Sequence, residues 1–282
     1  MISDKQLDDL IARTNPILTV PKVTADKKLS ICESILASAR NPELMPDDHI
    51  RLHRSVRLSV ENRIGILDID DGKANVLTMD VIHAINQALQ ICELDSEITV
   101  IAIIGRPEIL SAGLDRNLFF GDDGRVSETL NALGHLIIRL YGSKLRIVTA
   151  CTGHAIAAGA LLLLASDLRI GKSGSFQIGM NEAAIGVTLP DWALALAKHR
   201  LTKQANQLTL STGQLYQVVD AINAGFLDKV TNENIRQVAL DEADLLSALD
   251  LEVYREAALS ARKKCLAEMK QHIALSQSEN HD

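Results

Sequence analysis

Apolar positions recur along this chain with two different periods, and the change of period marks its elements. Val56, Leu58 and Val60 alternate with Arg57 and Ser59, the spacing of a half-buried strand. Glu61-Asn62 marks a turn, and Arg63–Ile69 returns as a second strand before Asp70-Asp71-Gly72 breaks the chain. Thr78 is placed to cap a helix running through Leu94, because Val81, Ile82, Ile85, Leu89 and Cys92 then share one face. Thr99–Ile104 is a β-branched, apolar run and predicts a strand covered on both faces. A helix is predicted over Val126–Tyr141, a buried strand over Leu145–Cys151 and an apolar helix near Ala158–Ser166. Short strands around Leu168–Ile170 and Ser175–Gln177 come next, then helices from about Asp191 and Lys203. Two amphipathic helices are predicted across Leu240–Ile273. Strands interspersed with helices predict an α/β fold.

The region before Val56 reads differently. It holds four of the six prolines, Pro16, Pro21, Pro42 and Pro46, around Ala25–Arg40, whose apolar residues fall near helical spacing. Residues 1–55 are therefore read as a helical extension serving packing or oligomer contact, 56–230 as the core, and 231–282 as a C-terminal helical region. The longest apolar run, Ala155–Ala165, is well short of the ~20 residues of a membrane span and predicts a buried helix.

Charge and composition narrow the function. Lys plus Arg number 29 against 36 Asp plus Glu, a net charge of -7. This excludes recognition of nucleic acid or an anionic membrane by a broadly basic surface. Aromatics at 3% offer little for base stacking. Cysteines at 32, 92, 151 and 265 form no C-x-x-C pair, which suggests neither a zinc framework nor a disulfide scaffold and fits a reducing compartment. Met1–Leu10 lacks an apolar signal core. The expectation is a cytoplasmic protein without metal.

Several segments carry candidate chemistry. Gly153–Gly159 follows a strand and opens a helix, but alanines stand where a dinucleotide fingerprint needs glycines, and Asp167 is too near for the ribose-binding acid. What survives is a helix start whose free N–H groups attract negative charge. His49 and His53 stand four apart without the Glu of H-E-x-x-H or an evident third ligand, so a surface pair is the better reading. Lys73 reads as a turn cation or a phosphate contact, with the former slightly favoured. In Leu110-Ser111-Ala112-Gly113-Leu114-Asp115, small residues would let a ligand approach the backbone closely. Glu182 sits in an apolar stretch, Ile178–Pro190. Desolvated there, its carboxyl would be suited to proton transfer. An exposed glutamate at a helix start is an equal alternative.

Taken together these segments resemble the crotonase superfamily, the enoyl-CoA hydratases and isomerases, over roughly Val56 to Val230. Lys73-Ala74-Asn75-Val76-Leu77 resembles the family's turn after the first strands, and Ser111-Ala112-Gly113-Leu114-Asp115 its first oxyanion loop. Gly153–Asp167 resembles its second oxyanion loop and following helix, and Asp220–Val230 its helix-to-strand A-x-x-x-G-L-V-D-x-V signature. The resemblance implies a fold of repeated ββα units, a homotrimer or hexamer, and an acyl-CoA thioester as substrate, with coenzyme A part of that substrate and no separate cofactor. It assigns the oxyanion hole to the backbone N–H groups of Leu114 and Ala158. Lys73, Ala74, Ser111, Ala112 and Gly113 would line the substrate.

The resemblance also bears on the reaction. Hydratases of the family carry two glutamates; the first position is Leu161 here and the second matches Glu182. Adding water needs one group to activate it and another to manage the α-carbon proton, whereas one base suffices to move a double bond. The chain is most similar to Δ3,Δ2-enoyl-CoA isomerases of the mitochondrial type, which have Leu at the first position and share S-A-G-L-D, an I-G-L-N-E stretch close to Ile178–Glu182, and Arg139–Ser143. The expectation is an isomerase with Glu182 as acid and base. The alternatives are a hydratase using an acid elsewhere and a catalytically silent acyl-CoA-binding protein. The chain departs from the family at Ala157-Ala158, where more glycine is usual, at Lys144-Leu145-Arg146, where Lys-Pro is common, and in the extension before Val56.

Overall fold

A computed structural model describes residues 50–120 and 125–279. The Ala25–Arg40 helix and His49 lie outside them. Strands β1 (Ile50–His53), β2 (Val56–Glu61) and β3 (Ile64–Ile69) form an antiparallel meander, so sheet structure starts inside the segment read as a helical extension. Helix α1 (Met79–Leu94) follows, capped by Thr78, whose hydroxyl accepts from the Val81 N–H. Next come β4 (Val100–Gly105), β5 (Glu108–Ser111), the short α2 (Asn117–Phe120) and α3 (Val126–Tyr141). Then come β6 (Arg146–Cys151), β7 (Gly153–Ile156), α4 (Ala158–Leu164), β8 (Leu168–Lys172) and β9 (Gln177–Gly179). A 3-10 turn (Glu182–Ile185) leads into α5 (Asp191–Arg200) and α6 (Lys203–Thr212). The chain ends with β10 (Tyr216–Gln217), α7 (Val218–Ala224), β11 (Lys229–Thr231), α8 (Ile235–Ser247) and α9 (Leu251–Glu279).

Two sheets share these strands. The larger has the order β1-β2-β3-β4-β6-β8-β11, parallel from β3 onward; the smaller has the order β10-β9-β7-β5. A strand in the large sheet, a strand in the small sheet and a helix succeed one another three times, as β4-β5-α3, β6-β7-α4 and β8-β9-α5. These are the repeated ββα units that the resemblance implies. Val76 extends the small sheet by a bridge to Gly113. Strands β4 and β6 are buried on both faces, as parallel strands between helical layers must be. Ile64, Ile66, Val100, Ala102 and Val148 meet Ile235, Ala239 and Ala243 of α8 on one side. The opposite face carries Leu67, Ile101, Ile103 and Ile147 into the main core with α1, α3 and α4. No helix among the described residues is long and apolar enough to cross a membrane.

The small sheet is where sequence and structure differ. The segment Leu110–Asp115, expected to let a ligand approach its backbone, begins with the last two residues of strand β5, and Gly153–Gly159, read as the start of a helix, opens with strand β7. Pairing of β5 with β7 and of β7 with β9 holds the two loops side by side at one end of the molecule.

Candidate active site

The first loop is built on Asn75. This residue is buried with a positive φ of 49°, a conformation that asparagine tolerates better than most residues. Its side-chain amide donates to the carbonyls of Ile69 and Leu110, at 2.7 and 3.1 Å, and its carbonyl accepts from the Ser111 hydroxyl at 2.7 Å. Ser111 in turn accepts from the Gly113 N–H at 3.0 Å. The Ala112 N–H donates to the Ala74 carbonyl and the Leu77 N–H to the Gly113 carbonyl, both at 2.9 Å. Gly113 has a φ of 88°, and a Cβ there would lie 3.0 Å from the Ala158 nitrogen. Glycine is therefore required both by the backbone conformation and by the close approach that sets Leu114 beside the second loop.

The second loop turns from β7 into α4 through Ala157. Its φ of 53° and ψ of -122° belong to a region that favours glycine, at a cost on the order of 1–3 kcal/mol for other residues. The conformation is held by the Ala157 N–H, which donates to the Gly179 carbonyl of β9 at 2.9 Å. Ala158 then opens the helix, and its N–H has no backbone acceptor among the described residues; nor has that of Leu114. Two N–H groups without a backbone acceptor are what an oxyanion hole requires.

Strand β9 leads into Glu182, the first residue of the 3-10 turn. Glu182 is 8% exposed, and its Oε2 has no hydrogen-bond partner among the described residues. Burial pushes its carboxyl up from 4.5 to about 7, and a backbone hydrogen bond opposes this only in part. No cation offsets the shift, so desolvation sets it. Of the two readings left open by the sequence, the buried carboxyl is the one found.

One cavity brings Leu114, Ala158 and Glu182 together, and Ala112 and Leu161 also line it. The remaining wall is mostly apolar, with Arg116, Asn181 and Thr188 as its other polar residues, and Glu182 is the only carboxylate among the described residues lining it. Other expected substrate contacts lie behind the loops rather than in this cavity. Ser111 is fully buried and engaged with Asn75 and Gly113. Gly113 packs under Ala158. Lys73 is exposed; its carbonyl accepts from Arg106 at 2.7 Å, and Ala74 presents its carbonyl to Ala112. Arg116, at the cavity wall, and Trp192, in the first turn of α5, were not singled out from sequence. Only their distance after the S-A-G-L-D and N-E segments could have pointed to them. No metal-binding cluster of His, Cys, Asp and Glu occurs among the described residues.

The helix-to-strand signature has a structural task. Asp228 accepts from the Arg169 guanidinium at 2.6 and 2.8 Å and from the Arg169 N–H at 2.9 Å, joining β8 to the approach of β11. Burial raises the Asp228 carboxyl, but the hydrogen bonds and charge of Arg169 outweigh it and hold the group below its ordinary value.

The fold is thus one of repeated ββα units that bring two backbone N–H groups and a buried carboxyl to a single cavity. Residues 59–276 match the enoyl-CoA hydratase/isomerase family, and the chain belongs to it, within the crotonase superfamily. It is 29% identical over 194 residues to the mitochondrial enoyl-CoA delta isomerase 1 of Rattus norvegicus, covering 66% of this chain and 67% of that one. It is 26% identical over 176 residues to a probable enoyl-CoA hydratase of Bacillus subtilis, covering 61% and 67%. A solved enoyl-CoA hydratase/isomerase family protein from Pseudomonas syringae superposes with a TM-score of 0.76 at 32% identity, covering 80% of this chain and 98% of that one.

Proposed function

We propose that this protein is an enoyl-CoA isomerase that moves the double bond of a 3-enoyl-CoA into conjugation with the thioester. The observation that carries this reading is the lone carboxylate: among the described residues that line the cavity Glu182 is the one acid, and Leu161 supplies hydrocarbon there. Glu182 as carboxylate takes a proton from C2 of the acyl chain. The electrons of that C–H bond delocalise onto the thioester oxygen, which accepts from the Leu114 and Ala158 N–H groups. The same carboxyl returns the proton to C4, leaving a C2–C3 double bond and consuming no water. A carboxyl titrating near neutrality suits both halves of this exchange, since it takes and gives a proton with little bias. Each oxyanion donor in such sites is worth about 10²–10³ in rate. Coenzyme A enters with the substrate, and the same reading carries a homotrimer or hexamer.

The test is product identity by mass spectrometry. With trans-3-hexenoyl-CoA the enzyme should form the conjugated 2-enoyl isomer. Faster formation of 3-hydroxyacyl-CoA from either enoyl isomer would overturn the single-base reading.

A further inference from the structure

One buried aromatic ring lines the acid-bearing cavity. Trp192, the single tryptophan of the chain, is 2% exposed and stands in the first turn of α5. Its side chain lines the cavity and also lies against Gly134 in the middle of α3. A Cβ built at Gly134 would fall 2.9 Å from Trp192 Cε2, 3.0 Å from its Nε1 and 2.7 Å from Ile273 Cδ1. A helix interior disfavours glycine, so its presence here fits the need to seat a large ring close to the helix axis. Leu133 and Leu161 line the same cavity.

The space is small and partly open. Its volume is about 120 Å³. A dry cavity of about 150 Å³ lined by Leu, Ile and Phe takes a benzene ring, so this one has room for roughly five carbons. The thioester carbonyl is held at the Leu114 and Ala158 N–H groups, and the hydrocarbon beyond it must fit between them and the ring.

We propose that Trp192, seated on Gly134, gauges acyl chain length, and that the substrates are short acyl thioesters of about four to six carbons. This rests on the acyl-CoA reading above and adds the substrate class to it. Trp192 acts by contact with the end of the chain and takes no part in proton transfer.

Saturated thioesters test the gauge without turnover, because they have no double bond to move. Calorimetric titration of the full chain with butanoyl-, hexanoyl-, octanoyl- and decanoyl-CoA should show affinity rising about fourfold per buried methylene as far as hexanoyl. It should then drop by roughly tenfold or more at decanoyl, the penalty of overfilling a packed site. Trp192→Phe should move the optimum to longer chains. Gly134→Ala, which forces the ring away from α3, should move it to shorter ones and gives a second reading if the first variant does not fold. Affinity that keeps rising through decanoyl in the wild type, or an optimum unmoved in the folded variants, would overturn the gauge while leaving the enzyme reading intact. Failure of every thioester to bind would overturn both.

Discussion

At the scale of single residues, the proposed chemistry depends on leaving Glu182 Oε2 without a hydrogen-bond partner among the described residues. Almost any cation or donor at Oε2 would favour the charged form and draw its pKa back toward the ordinary range. The folded value of about 7 lies above the 4.5 of a free glutamate, which fixes the sign of two pH effects. For stability, the protonated group is favoured in the folded state. Its contribution is complete below pH 4.5 and is lost as pH rises through about 7, so ionised Glu182 is a cost to the fold in neutral solution. For catalysis, the base form is needed in the free enzyme. We expect kcat/KM for a 3-enoyl-CoA to rise with pH and level off above about 7, with a single ionisation on that limb. A midpoint near 4.5, or a flat profile from acid to neutral pH, would show that Glu182 is solvated or idle. Ala157 is the other costly residue. Its glycine-like backbone is tolerated because β9 accepts its N–H and Gly113 leaves space for its methyl group.

At the scale of elements, what matters is how two short strands acquire their positions. The large-sheet strands were legible because β4 and β6 are continuous β-branched or apolar runs with buried neighbours on both sides. Strands β5 and β7 were not, because four residues containing Glu108, Gly153 or His154 carry no period of their own and pair only once the folded units stack. For the same reason Ser111 and Gly113 read as ligand-facing small residues, although the structure uses them to tie the loop to Asn75 and to α4. The C-terminal signature was visible, but its physical purpose emerges only from the Arg169–Asp228 contact. Arg169 is buried, while the Asp228 side chain is 33% exposed. Removing the carboxylate strands a buried guanidinium, so Asp228→Ala should destabilise the protein by about 2–3 kcal/mol, below the full cost of a wholly buried pair. The depressed Asp228 pKa means that the clamp contributes above pH 3.8 and is lost as pH falls through the lower folded value. Denaturant unfolding at pH 7 measures the loss. A change within about 0.5 kcal/mol, the usual range for surface substitutions, would reduce the clamp to one.

At the scale of the whole molecule, the acidic balance of the chain takes on a narrower meaning. A net charge of -7 does not draw in a polyanion such as coenzyme A, so recognition must rest on local donors. On the proposed reading these are the Leu114 and Ala158 N–H groups of two neighbouring loops, with Arg116 at the cavity wall. The resemblance in sequence order located both loops and the carboxylate. The juxtaposition of Trp192 with Gly134 was not visible, because it joins residues 58 positions apart through the packing of α5 on α3. The central claim is that one carboxylate performs both proton transfers. Its most direct test is the kcat of Glu182→Gln on trans-3-hexenoyl-CoA, with the affinity for hexanoyl-CoA measured alongside. Turnover should fall by about 10²–10⁴, the range of general acid–base catalysis, with the affinity kept. Turnover close to wild type with the same affinity would remove Glu182 from the reaction and contradict the account.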